Sequence, residues 1–261
     1  GCEFVYLDLG GNVGVQTRKL FEPKRYPNGF VLPVFEQSFG SNKSAWRDSA
    51  CAIGFEPNPH HEPRLRELAE RYTALGWRTT YYFAGVGPKD GLLHFAPRVA
   101  NALEPAAGFH WNKRKAGDCG ANVPMVDLVR FLRTEIIPAS PRAVVAKVDI
   151  EGTEWHVLPV LMSNLDALCA VSMYLVEFHN HAAHMPVVRA WNSSTRPNNP
   201  ASCAQARVMA DESYSIDPHP LPIRKGGSPD DWSLKNIRDH GAFWRTDLSP
   251  PPERTRRRSS I

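Results

Sequence analysis

The chain has no apolar stretch near the roughly 20 residues a helix needs to cross a bilayer. Its longest apolar run, from Ala167 to Phe178, is broken by Ser172 and Glu177, so no membrane span is expected. Cysteine is also sparse. Five of them, an odd number at irregular spacing, exclude a disulfide-framework fold and a zinc-ligand pattern. Cys51 and Cys169 stand at the edges of apolar runs and read as buried thiols. A net excess of charge of either sign is nearly absent from the body of the chain. Most of the formal +4 comes from Arg254, Arg256, Arg257 and Arg258, opposed only by Glu253, which argues against a nucleic-acid surface. No internal repeat is visible.

At 261 residues the chain is large enough for one sizeable core. A single domain over 1–248 is expected, with an insertion near 22–49 and an irregular region near 185–235. Residues 249–261 form a proline- and arginine-rich tail expected to be disordered. The chain opens on Gly1 rather than Met and enters its first strand almost at once. That start reads as a truncated N-terminus. The compartment stays open between cytoplasm and secretory-pathway lumen. Asn42-Lys43-Ser44 and Asn192-Ser193-Ser194 fit the glycosylation sequon.

Short apolar runs alternate with helix-like stretches. The pattern predicts an α/β fold, a mainly parallel Rossmann-like sheet with helices on both faces. Strands are expected over 3–9, 51–55, 79–86 and 144–150, with a fifth inside 168–178. Leu92 to Phe95 is expected to pair back as a short strand. Helices are expected over 15–21, 63–75, 124–133 and 153–161. Arg18 reads as a solvated helix residue. The segment between Glu22 and Ser49 is too long for a simple connection and reads as an insertion, which accounts for the long gap from Gly14 to Glu56 only if it loops out.

The first run carries an acid and breaks into Asp8-Leu9-Gly10-Gly11-Asn12-Val13-Gly14, with a helix directly after it. Strand, glycine turn and helix form a nucleotide pocket, because glycine lets backbone approach a ligand and the helix start presents unpaired N–H groups. The spacing is Asp-x-Gly-x-x-x-Gly, and Asn12 interrupts the Gly-x-Gly pair of the dinucleotide fingerprint. That points away from nicotinamide and toward S-adenosyl-L-methionine.

Ligands of open α/β sheets bind beyond the carboxyl ends of the strands. The other predicted strands end at Glu56, Gly85, Asp149 with Glu151, and Glu177 with His179. An unpaired buried carboxylate costs several kcal/mol, so acids repeated at matching strand ends imply a ligand or ionic partners. Glu56 suits the two hydroxyls of a ribose; the rival reading is a helix-capping acid before Asn58-Pro59. Lys147, Asp149 and Glu151 share one parity and face one way, though a structural Lys–Asp pair explains part of that. His179, followed by Asn180, His181 and His184, offers a base. No metal is expected there, because the histidine spacing lacks a metal pattern.

Asp8 to Gly14, then Gly54-Phe55-Glu56-Pro57-Asn58-Pro59, then Lys147-Val148-Asp149-Ile150-Glu151-Gly152-Thr153-Glu154 and Val176-Glu177-Phe178-His179 resemble, in content and order, the FkbM-type methyltransferases. The resemblance runs over roughly 3–181. It implies a class I methyltransferase sheet, S-adenosyl-L-methionine as donor, and methyl transfer to a hydroxyl of a sugar, lipid or small molecule. The glycine turn, with Gly10, Gly11, Asn12 and Gly14, would then cradle the methionine part of the donor. Asp8 would contact its amino end or the turn, and Glu56 its ribose. Asp149 and Glu151 would border the transfer site, with His179 or Asp149 as base. The rivals are a nicotinamide-dependent oxidoreductase and a methyltransferase-like module without catalysis. The long 22–49 segment and the region after His184 fall outside the resemblance, so it says nothing of the acceptor.

Overall fold

A computed structural model describes residues 1–95, 121–179, 184–195, 203 and 205–208. The expected 249–261 tail, most of the 185–235 region and the fifth cysteine, Cys119, lie outside them. Nine strands are described: β1 (Phe4–Leu9), β2 (Ala50–Phe55), β3 (Arg78–Tyr82), β4 (Gly85–Gly87), β5 (Gly91–Phe95), β6 (Ala121–Asp127), β7 (Ala143–Val148), β8 (Met173–Val176) and β9 (Gln205–Val208). The helices are α1 (Val15–Phe21), α2 (Leu32–Phe39), α3 (Trp46–Ser49), α4 (Glu62–Ala74), α5 (Leu128–Phe131), α6 (Ile137–Ala139), α7 (Glu154–Met162), α8 (Leu165–Cys169) and α9 (Met185–Ser194).

The main sheet has the order β3-β2-β1-β7-β8-β9, with every neighbouring pair parallel. Strand order reverses at β1, between β2 and β7, which is where open α/β sheets leave a crevice. Register sharpens this. Leu9 stands beside Phe55 and Val148, Phe55 beside Tyr82, and Val148 beside Val176. The strands therefore end level with one another. The ladder continues one step into the loops: Gly10 N–H and Gly11 N–H donate to Phe55 O, Glu56 N–H to Tyr82 O, Asp149 N–H to Leu9 O and Glu177 N–H to Val148 O.

Alternation along β1 sorts the core into two layers. Phe4 and Tyr6 pack with Phe21, Phe35, Trp46 and Tyr72 on one face. Val5, Leu7 and Leu9 pack with Phe131, Leu158, Leu161 and Trp191 on the other.

Five sequence expectations are corrected here. The 22–49 segment does not loop out: α2 and α3 cover the sheet, with Tyr6 edge-on to Phe35 and Phe35 edge-on to Trp46 at 4.9 and 5.8 Å. Its aromatic residues are its share of the core. Because that layer lies over α1, Arg18 is fully buried rather than solvated. Its guanidinium pairs with Glu22 at 2.7 Å. Cys51 and Cys169 are not free thiols: Cys2 bonds to Cys51 and Cys169 to Cys203. Sequence separations of 49 and 34 residues leave no local pattern to read.

Finally, Pro124 to Asp127 is strand, not helix. β6 alternates, with Val123 and Met125 buried, and pairs with β4 and antiparallel with β5. Asp127 then starts α5 by accepting the Arg130 N–H. The expected strand over 79–86 breaks between Tyr82 and Gly85, and its second part, β4, joins this small sheet.

Replacing Trp46, which is fully buried, by alanine tests the role of the 22–49 segment. Loss of a large core aromatic should lower unfolding free energy by about 3–5 kcal/mol, measured by urea denaturation. A segment looped into solvent would give a change within about 0.5 kcal/mol.

Candidate active site

The level strand ends open onto a cleft lined by Gly10, Asn12, Glu56, His61, Asp149 and Glu151 among others. Its wall on the β1 side is backbone. Gly10 has φ +87°, and a Cβ there would sit 1.8 Å from the Asp149 carbonyl oxygen. Only glycine allows the turn to pass so close to the end of β7. Asn12 is also left-handed, with φ 47°. Its side-chain oxygen is buried without a hydrogen-bond partner among the described residues. Gly11 and Gly14 belong to the same turn, with Tyr81 packed beside both.

Glu56, just past β2, ties this wall together. Its Oε2 accepts the Asn12 N–H at 2.6 Å and its Oε1 the Asn58 N–H at 2.8 Å. A carboxylate has about four acceptor positions, so capacity remains for ligand hydroxyls. The capping alternative fails on position, since α4 begins only at Glu62. His61 lies behind Glu56, with its Nδ1 3.4 Å from Oε1.

Asp8 does not line the cleft. It is fully buried beneath the turn, where Oδ2 accepts the Thr17 hydroxyl at 3.1 Å. Beside it stands Lys147, 3% exposed, whose Nζ donates to Gly10 O at 2.7 Å and lies 2.9 Å from Asp149 and 3.7 Å from Asp8. Burial works against the ammonium, but Asp149 and Asp8 together outweigh it and hold its pKa above the ordinary lysine value. Burial raises the Asp8 carboxyl, with Lys147 and Thr17 opposing.

The far side of the cleft is built by the turn after β7. Glu151 and Gly152 are both left-handed, φ 53° and 94°, which swings the Glu151 side chain to the cleft before α7 begins. Burial, reinforced by Asp149, Glu177 and Glu154 against His179, raises the Glu151 pKa to about 7. Glu154, fully buried, clamps this region. Its Oε2 accepts the Gly152 N–H, and its Oε1 accepts the His179 N–H at 2.8 Å and lies 3.1 Å from His179 Nδ1.

The other imidazole nitrogen, Nε2, faces Glu151, Glu177 and Asp149 at 3.6, 3.7 and 3.8 Å. Burial opposes the charged form of His179, yet the Glu154 hydrogen bond and the Glu154, Glu151 and Asp149 charges raise its pKa to about 9. At neutral pH the ring therefore carries its proton in the ligand-free protein. It must lose that proton before it can act as a base. His184 stacks on Trp155 at 4.4 Å, and Asn180 and His181 lie outside the described residues.

The structure thus brings Gly10, Asn12, Glu56, Asp149 and Glu151 to one cleft, with His179 against its acidic side. Asp8, Gly11 and Gly14 are placed beneath or within the turn. Sequence reasoning missed His61, Glu154 and Lys147's bond to Gly10. A signal existed for Glu154: it is an acid at the first turn of a helix whose other faces are apolar.

A family model for the methyltransferase FkbM domain matches residues 10–193. The chain belongs to the FkbM methyltransferase family. No curated protein and no solved structure matches it. The matched span includes Glu56, Asp149, Glu151 and His179. The FkbM assignment and the Rossmann-like parallel sheet agree on a methyltransferase.

Within this methyltransferase, Lys147 locks the glycine turn to β7. Lys147→Met should leave buried Asp8 and partly buried Asp149 without their cation. Breaking a buried pair in this way costs about 3–5 kcal/mol, readable as a lower urea midpoint. Lys147→Arg should recover part of the loss.

Proposed function

We propose that this chain transfers a methyl group from S-adenosyl-L-methionine to a hydroxyl oxygen of a small molecule or glycan. The observation that carries the reading is the glycine turn held by Glu56 across a cleft from Asp149 and Glu151. The donor's parts suit the residues present. The turn around Gly10 and the Asn12 oxygen, unpartnered among the described residues, match its amino-acid end, and Glu56 matches a ribose diol. When bound, the donor would supply an electrophilic methyl carbon on a sulfonium.

The chain's own task is then alignment and exclusion of water. Glu56 fixes one end of the donor, and the Gly10 turn keeps its path narrow. Asp149 and Glu151 border the place where the acceptor oxygen must sit. A hydroxyl must shed its proton as it attacks, and the Asp149–Glu151–His179 group is close enough to receive it.

A thermal-shift comparison tests the donor. S-adenosylhomocysteine should raise the melting temperature in a concentration-dependent way while NAD does not; the opposite pattern would favour an oxidoreductase. By calorimetry, Glu56→Ala should weaken S-adenosylhomocysteine at least tenfold, since a hydrogen bond to a charged group contributes about 1.5–3 kcal/mol. Glu56→Gln should fall between the two. A methyl-transfer assay with labelled donor against sugar, lipid and small-molecule hydroxyls separates catalysis from binding alone.

The two disulfides support a secretory-pathway lumen over the cytoplasm, where thiols are kept reduced. Protein isolated without reductant and unfolded in maleimide should label at one of its five cysteines. Labelling at all five would return it to a reducing compartment.

A further inference from the structure

We propose that Asp149, Glu177 and His179 bind a divalent cation, Mg²⁺ or Mn²⁺, on the acidic side of the cleft. Each offers one ligand atom, and the three atoms lie within 4.8 Å of one another. His179 Nε2 stands 3.8 Å from Asp149 Oδ1 and 3.7 Å from Glu177 Oε1. Those gaps are too wide for hydrogen bonds. They suit corners of one coordination shell, in which each ligand stands about 2.0–2.6 Å from the ion.

Two observations outside the three ligands point the same way. First, the imidazole is oriented from behind. Glu154, fully buried, accepts from His179 N–H and sits 3.1 Å from Nδ1, which directs Nε2 at the carboxylates. A carboxylate behind a histidine is the arrangement that orients metal-ligating imidazoles. Second, Asp149 is divided in the same manner. Its Oδ2 pairs with buried Lys147 at 2.9 Å, and Oδ1 is the oxygen turned to His179.

Two carboxylates and one imidazole, without thiolate, select a hard to borderline cation.

Three protein donors on one side leave positions toward the cleft, where Asp149 and Glu151 form the lining. An acceptor hydroxyl bound there would lose its proton more readily, and Glu151, with Oε2 3.6 Å from His179 Nε2, is near enough to take it. This last step rests on the methyl-transfer reading. Ion binding does not.

Electron paramagnetic resonance on the full chain with Mn²⁺, without donor or acceptor, tests the site. One ion per chain should bind, and excess Mg²⁺ should displace it. Glu177→Gln and His179→Gln should each weaken Mn²⁺ at least tenfold while keeping the wild-type circular dichroism melt. Absence of bound Mn²⁺ at about 1 mM, the weak end of biological sites, would overturn the proposal, as would unchanged affinity in both folded variants.

Should either variant melt early, the wild-type protein answers by NMR. Mn²⁺ should broaden the His179 ring signals first, and sharp signals at stoichiometric Mn²⁺ would overturn the site. Mn²⁺ binding without any response to S-adenosylhomocysteine would support the ion site and overturn the donor reading. The reverse would overturn the ion site alone.

Discussion

The ammonium of Lys147 is the constraint on which the cleft depends. It sits beneath the switch point, reaching Gly10 O, Asp149 and Asp8 with one buried charge. Without it, among the described residues, the turn after β1 and the turn after β7 keep the Asp149 N–H to Leu9 O bond between their first residues. Burying a charge is unfavourable unless it is paired and hydrogen-bonded. Here three oxygens surround it, and the field of the carboxylates keeps it protonated. Gly10 must be glycine for the same reason. The carbonyl that Lys147 holds belongs to a residue whose Cβ would strike the Asp149 backbone.

Level strand ends convert this local bond into a site. Because β1, β2, β7 and β8 stop in register, the first side chains past each end stand in one row. Parity then divides the labour. Asp8 and Lys147, side by side in the ladder, become the buried foundation. The residues after the strands, freed from pleat alternation, reach the cleft. Glu56 faces backbone N–H groups, whereas Asp149, Glu151, Glu154 and Glu177 face one another across His179. The β1–β2 wall thus carries one carboxylate satisfied by backbone N–H groups, and the opposite wall gathers several acids around His179.

Much of this was legible in the sequence, because the physics involved is local. Strand alternation, the glycine turn, and acids at strand ends are read within a few residues, and the family resemblance rested on those short pieces. What escaped depends on distant partners. Cys2 and Cys51 meet because β1 and β2 are neighbours, and no spacing encodes that. Arg18 lies buried because α2 and α3, which begin 14 and 28 residues later, pack over α1. The 22–49 segment looked like an insertion by its prolines and length, yet Phe35, Phe39 and Trp46 are core residues. Pro124 misled in the other direction. It reads as a helix start, but Val123 and Met125 obey a period of two, and tertiary pairing with β5 decided the outcome.

The two walls of the cleft differ in mechanical character as well as charge. The β1–β2 side is fastened by consecutive backbone bonds from Gly10, Gly11 and Glu56, which leave it little freedom. The β7–β8 side depends on a left-handed Glu151, a sparsely populated conformation for a residue with a side chain, kept in place by the single buried carboxylate of Glu154. Glu154 touches both the turn after β7 and His179 beyond β8, so one buried carboxylate sets the separation of Glu151 and His179 on that side of the cleft.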